Sequence, residues 1–224
     1  MKLSDILFER AEQLWTEAVN KNFVTEMALG TLDAERFRNY MLQDFLYLED
    51  YIEILEKTLE YTEDPGLLGF LQEILSETKN ELIRVHRPNL KKTGITEDDI
   101  SNCVRSSVIL EYVDYMKREL EENGLLAGLT ALLQCSWVYA YIAEKMTEKY
   151  PLEIEKSAYK DWFEAYRCKE YTATNNKWID FLDKETIGID SKEADDLSEI
   201  FKRCAKYENC FWDELYSYRK NVEN

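Results

Sequence analysis

The chain has 224 residues, with 45 acidic against 28 basic side chains and a formal net charge of −17, which argues against nucleic acid or an anionic membrane as its main partner. Only seven glycines and three prolines interrupt a composition that is 45% hydrophobic and 33% charged, the profile of a helical protein long enough to bury a full core, and one domain over residues 1–224 is expected. A single histidine, His86, excludes a multi-histidine metal site, and five cysteines without a CxxC pair are read as reduced and cytoplasmic. The opening MKLSDILFERAEQ is too polar for a signal peptide, and no apolar run is expected to reach the roughly 20 residues of a membrane span.

In chain order, Ser4 is placed to cap a first helix from Asp5 to about Asn20, with Ile6, Leu7, Leu14 and Ala18 inward. A loop carrying Asn22-Phe23 and Gly30-Thr31-Leu32 should follow. A long helix then runs from Asp33 to about Tyr61. Its inner row is Phe37, Met41, Asp44, Leu48, Ile52, Leu55 and Leu59, so Asp44 is a carboxylate in the core row, flanked by Tyr40 and Tyr47. Asp64-Pro65-Gly66 opens a helix reaching about His86, and the basic segment Arg84 to Lys92 reads as a solvated loop.

A helix beginning at Thr96 carries the row Val104, Val108, Tyr112, Tyr115 and ends at Asn123-Gly124. Gly128 to Met146 forms the most apolar helix, with Leu129, Leu132, Leu133, Tyr139, Ala140, Ala143 and Met146 at steps of three and four. Cys135 sits within it one turn before Tyr139, so thiol and phenol share a face. Taken alone, such a cysteine is an inert core residue. Beyond Tyr150-Pro151 come a helix near Glu155 with Tyr159, Trp162 and Tyr166 in one row, and an irregular piece from Tyr171 to Ile189. The last helix, Lys192 to about Tyr218, has the row Leu197, Phe201, Cys204, Glu208, Phe211, Leu215, Tyr218, again with an acid in a core slot. No strand signal appears. An all-α bundle of seven or eight helices is expected.

Buried carboxylates are costly unless paired, hydrogen-bonded, neutralised or facing a lined cavity. Asp44 and Glu208 have no basic residue in their rows, and tyrosines are the expected neighbours. Two readings stay open at this level: buried hydrogen bonds that fix helix register, or a polar pocket with aromatic walls suited to a flat heterocycle. A di-iron centre would need Glu-x-x-His pairs, but Ile83 stands three before His86 and no second histidine exists. Haem ligation by His86 would leave Cys135, Asp44 and Glu208 without a role.

Phe37-x-x-Tyr40-x-x-Gln43-Asp44-x-x-Tyr47-Leu48, Cys135-x-Trp137-x-Tyr139 and Glu208-x-x-Phe211-Trp212 occur in order along the chain. With looser agreement at Gly30-Thr31-Leu32, Tyr112-x-x-Tyr115-Met116 and Tyr159-x-x-Trp162-x-x-x-Tyr166, the chain resembles the TenA (thiaminase II) family from Phe23 to Tyr218. The resemblance implies a haem-oxygenase-like α-bundle that hydrolyses 4-amino-2-methylpyrimidines or thiamin in thiamin salvage, as a homotetramer without metal or organic cofactor. It implies Cys135 as nucleophile, Glu208 as proton donor to a ring nitrogen and Asp44 as holder of the amino-pyrimidine edge. Tyr47, Tyr112, Tyr139, Tyr166 and Phe211 would contact the substrate. A non-catalytic pyrimidine-binding protein on the same scaffold is the rival reading. The sequence departs from the family's usual residues at Gln134 (proline), Ala143 (glycine), Asn22 (histidine) and Val113 (threonine).

Overall fold

The computed structural model describes residues 2–82, 90 and 93–218, and His86 and most of the basic segment Arg84 to Lys92 lie outside these. Among the described residues there are eleven α-helices, one 3-10 turn and no strand. The fold is all-α. Asp33 caps α3 (Ala34–Thr58) by accepting from the Glu35 and Arg36 amides, Asp64 caps α4 (Pro65–Glu81), and the 3-10 turn Leu59–Tyr61 lies between them. Caps of this kind are each worth about 1 kcal/mol. Ser4, by contrast, does not cap α1 (Leu3–Val19). Its amide and hydroxyl both donate to the Asp183 carboxylate at 2.8 Å, tying α1 to α10 (Lys169–Glu185).

Other expectations need correction. The segment around Asn22-Phe23 is not a loop but α2 (Asn22–Leu29), ended by Gly30 at φ +70°, a left-handed conformation that favours glycine. The helix expected from Thr96 is broken: α5 (Glu97–Asn102) and α6 (Ser107–Asn123) are separate, and Val104 is 80% exposed rather than inward. Gln43 holds the break open, its Nε2 donating to the Val104 carbonyl and its Oε1 accepting from the Ser106 amide, while Ser106 caps α6. The piece from Tyr171 to Ile189 is mostly the regular helix α10. It is fastened where Tyr171 and Asn175 both donate to the Ser136 carbonyl, the residue after Cys135.

The bundle is built around α7 (Leu125–Lys149), which touches α1, α6, α9 (Lys160–Arg167), α10 and α11 (Ser191–Ser217); the short α8 (Pro151–Lys156) follows it. Contrary to the sequence expectation, α7 is long and apolar enough to cross a membrane, with a mean hydropathy of 1.5. That window is nevertheless 61% buried inside the protein, as a core helix would be. Gly128 lets α6 approach: a Cβ there would stand 2.7 Å from Leu120 Cδ1. This close crossing sets Tyr112 of α6 opposite Gln134 of α7, whose side chains hydrogen-bond at 3.0 Å.

Candidate active site

Four helices bring the chemistry to one end of the core. Helix α3 contributes Tyr40, Asp44 and Tyr47, spaced four and three residues apart and so on one face. Helix α6 brings Tyr112, α7 brings Gln134, Cys135 and Tyr139, and α11 brings Cys204, Glu208, Phe211 and Trp212. Asp44 is 4% exposed and Glu208 2%. A narrow crevice is lined by Tyr47, Val108, Ile109, Tyr112, Tyr139, Glu208 and Phe211. Its free volume is about 10 Å³, close to one water molecule, so a ring can enter only when the wall side chains move apart.

The walls are aromatic. Tyr47 stacks on Tyr112 at 5.7 Å and Tyr112 on Tyr207 at 5.3 Å, a column drawn from α3, α6 and α11. Across from it, Tyr139 packs edge-on against Tyr166 at 4.9 Å and against Trp162 and Trp212. Tyr166 therefore does not line the crevice but supports Tyr139, which does. Trp162 Nε1 donates to Tyr40 Oη at 2.9 Å, joining α9 to α3 beside Asp44.

Electrostatically the site is one of mutually opposed acids. Burial, reinforced by the Asp44 charge, raises Glu208 from its ordinary 4.5 to about 8, even though contacts with Cys135 and Tyr112 favour its ionised form. Glu208 is thus mostly protonated at neutral pH. Burial and the adjacent Glu208 and Asp44 charges also push the Cys135 thiol well above its usual range, with Tyr47 pulling weakly the other way. Cys135 as a residue keeps partial accessibility, but desolvation dominates its titration. Tyr47 Oη lies beside this thiol without completing a well-formed hydrogen bond. Burial raises the phenols of Tyr40, Tyr47, Tyr112 and Tyr139 strongly, keeping them neutral donors.

Tyr47, Tyr112, Tyr139, Glu208 and Phe211 thus line the crevice, Cys135 and Asp44 interact with Glu208 without being among the lining residues, and Tyr166 packs against Tyr139. Four residues join them that were not singled out as site residues: Tyr40, Trp162, Gln134 and Cys204. Tyr40 was visible one turn before Asp44, and Cys204 one turn before Glu208; nothing in the local sequence pairs Trp162 with Tyr40 or Gln134 with Tyr112. Among the described residues no three His, Cys, Asp or Glu side chains converge to hold a metal ion. A wider groove of about 580 Å³ on the outer side of α7, lined by residues including Trp137, Tyr141, Glu144 and Arg167, offers no buried acid or thiol.

A thiol, an acid held protonated at neutral pH and a second buried carboxyl beside stacked phenols are groups of the kind that nucleophilic and acid–base chemistry on a flat ring uses. The sequence matches the profile of the TENA/THI-4/PQQC family over residues 8–218, and the chain belongs to that family. It is 27% identical over 216 residues to the aminopyrimidine aminohydrolase of Helicobacter pylori, covering 96% of this chain and 99% of that protein. It is 29% identical over 219 residues to the aminopyrimidine aminohydrolase of Halalkalibacterium halodurans, covering 98% and 97%. Among solved structures, a TenA homologue from P. horikoshii OT3 superimposes with a TM-score of 0.82 at 26% identity, covering 96% of this chain and 99% of that one. A TenA homologue from Pyrococcus furiosus, at 22% identity and a TM-score of 0.85 over 95% and 99%, shares the fold.

Proposed function

We propose that this protein is an aminopyrimidine aminohydrolase. It would convert a 4-amino-2-methylpyrimidine carrying a 5-aminomethyl group to the 5-hydroxymethyl product with release of ammonia, as a single domain in thiamin salvage. The observation that carries the reading is a buried Glu208 on an aromatic crevice, close enough to Cys135 and Asp44 for their charges to act on one another, in a chain whose near-full-length relatives bear that name.

The electrostatics suggest how a thiol held neutral can still add to the ring. Protonated Glu208 gives its proton to a ring nitrogen, making the pyrimidine electrophilic. The carboxylate left behind takes the Cys135 proton as the sulfur forms a bond to a ring carbon. The electron pair displaced onto the ring then expels the nitrogen of the 5-aminomethyl group, protonated from solvent, as ammonia. Water adds at the exocyclic methylene carbon and gives up a proton to solvent; the carbon–sulfur bond then breaks, Glu208 passing its proton to the departing sulfur and taking the ring nitrogen's proton in return. No free thiolate accumulates, which matters because burial makes one costly. Asp44 holds the amino edge of the substrate; Tyr47, Tyr112, Tyr139 and Phe211 enclose its faces, with Tyr166 steadying Tyr139.

Thiamin cleavage is a plausible side reaction of the same machinery, and a cytoplasmic homotetramer is the family expectation. The test is incubation with the aminomethylpyrimidine, following ammonia and the hydroxymethyl product. Turnover supports the enzyme; tight binding without release of ammonia would make the protein a binding module instead. Sedimentation of the purified chain decides the tetramer.

A further inference from the structure

A ring can enter the crevice only when its walls part, and the burial pattern shows where the crevice meets solvent. Among the described residues that line it, Val108 alone is not buried. Ile109, the next residue, is 2% exposed, and Glu208 on the facing helix is 2% exposed as well. Val108 stands in the first turn of α6, directly after the break between α5 and α6.

That first turn is fastened from outside. The segment from Cys103 to Ser106 carries neither glycine nor proline, and α3 holds it at two points. Gln43 Nε2 donates to the Val104 carbonyl at 3.0 Å, and Gln43 Oε1 accepts from the Ser106 amide at 2.9 Å. The amide orientation is fixed by these partners, since a carbonyl only accepts and a backbone N–H only donates. Between them in sequence, Arg105 Nε donates to Asp50 Oδ2 at 2.6 Å, with Glu49 Oε2 3.6 Å from its Nη2. Gln43 and Asp50 are both buried, so water competes poorly for either bond. They stand about two helical turns apart on α3, on one face with Asp44 and Tyr47 between them. Tyr47 is itself a wall of the crevice and stacks on Tyr112 of α6 at 5.7 Å. One helix therefore supplies one wall and the two fastenings of the wall opposite.

We propose that Gln43 and Arg105 are positioning residues that hold the mouth of the crevice shut: substrate enters and product leaves at Val108 and Ile109 when the start of α6 swings away from α3. Releasing the Gln43 bonds frees the backbone on both sides of Arg105, and releasing the Arg105–Asp50 pair frees the segment between them. The first turn of α6 then moves with its N-cap, Ser106, whose hydroxyl accepts from the Ile109 amide at 3.2 Å. The location of the mouth rests on the crevice alone; its part in product release rests on the function proposed above.

The experiment is alkylation of a thiol placed at the mouth. Ile109→Cys is treated with iodoacetamide, and each cysteine is followed separately by peptide mass spectrometry. Adding Arg105→Gln, or separately Gln43→Leu, should speed labelling at position 109 by about tenfold or more, the scale of hydrogen bonds to charged groups in an opening equilibrium. Adding Arg105→Lys, which keeps a cation for Asp50, should retain most of the slow rate. Cys204, 0% exposed on α11, should label as slowly as before in every variant. Val108→Cys serves as reporter if Ile109→Cys does not fold, and Arg105→Gln decides if Gln43→Leu does not. An unchanged rate at the reporter overturns the proposal, and so does equal acceleration at Cys204, which would mean general loosening. In the protein without the reporter, the hydroxymethyl product should leave Arg105→Gln about tenfold faster by stopped-flow tryptophan fluorescence. Release at the wild-type rate would mean a different exit and also overturns it. If the wild type binds no such product, the proposed function fails while the labelling still decides the mouth.

Discussion

Replacing Glu208 by glutamine should remove a large pH-dependent contribution to stability, and its sign can be worked out. Glu208 is 2% exposed, with its carboxyl raised from 4.5 to about 8 in the folded protein. Between those values the folded state holds a proton that the unfolded state has lost. Stability from this group is therefore fully present below 4.5 and is lost as pH rises through 8. The slope is about 1.4 kcal/mol per pH unit, with a ceiling of roughly 5 kcal/mol across the window. Glutamine does not titrate. Urea unfolding of wild type and Glu208→Gln at pH 5, 6, 7, 8 and 9 isolates the effect, because the groups common to both proteins largely cancel. The variant should gain on the wild type by roughly 3 kcal/mol between pH 5 and 7, with the difference levelling off above pH 8. Its kcat should fall on the order of a hundredfold or more, with KM little changed. A flat or opposite stability difference would refute the raised pKa. Normal turnover would show that the proton donor is another group.

Cys135→Ser should abolish most turnover with an unchanged melting profile, because serine has no accessible anionic form near neutral pH, whereas the exposed Cys210→Ser should leave both untouched; parallel kinetics and thermal melts check this. Activity should survive EDTA and dialysis, and loss reversed by a divalent metal would contradict the proposed chemistry. Gly128→Ala drives a Cβ into Leu120 at the α6–α7 crossing and should cost about 1–3 kcal/mol by urea unfolding. It should also raise KM, since the crossing positions Tyr112.

The acids were the legible part of the site. Asp44 and Glu208 each interrupt an apolar row that carries no basic residue, and both are buried. The partners were not legible where they come from distant helices: Trp162 finds Tyr40 across 122 residues, and Gln134 finds Tyr112 only because Gly128 lets two helices close together. The fold departs from the sequence pattern for similar reasons. Gly30 reads as a loop signal but is the stop of an eight-residue helix. The interruption at Cys103 to Ser106 carries neither glycine nor proline and is imposed by Gln43. Helix α10, rich in Thr and Asn, has weak intrinsic propensity and is held by its bonds to Ser136.

The packing of α1 against α11 has a consequence for how the chain is made. Synthesis delivers Leu3, Leu7, Ala11 and Trp15 well before the helix that packs on α1 most extensively, which begins at Ser191. Until that helix has emerged, α1 must leave part of its apolar stripe uncovered, although Trp15 also packs on Trp137 and Tyr141 of α7. This is a non-local closure of the kind that slows folding and leaves nascent chains prone to aggregation. Glu208 rides on the same late helix. The desolvation that raises its pKa thus depends on α11 being docked, so the acid is armed only once that helix is in place.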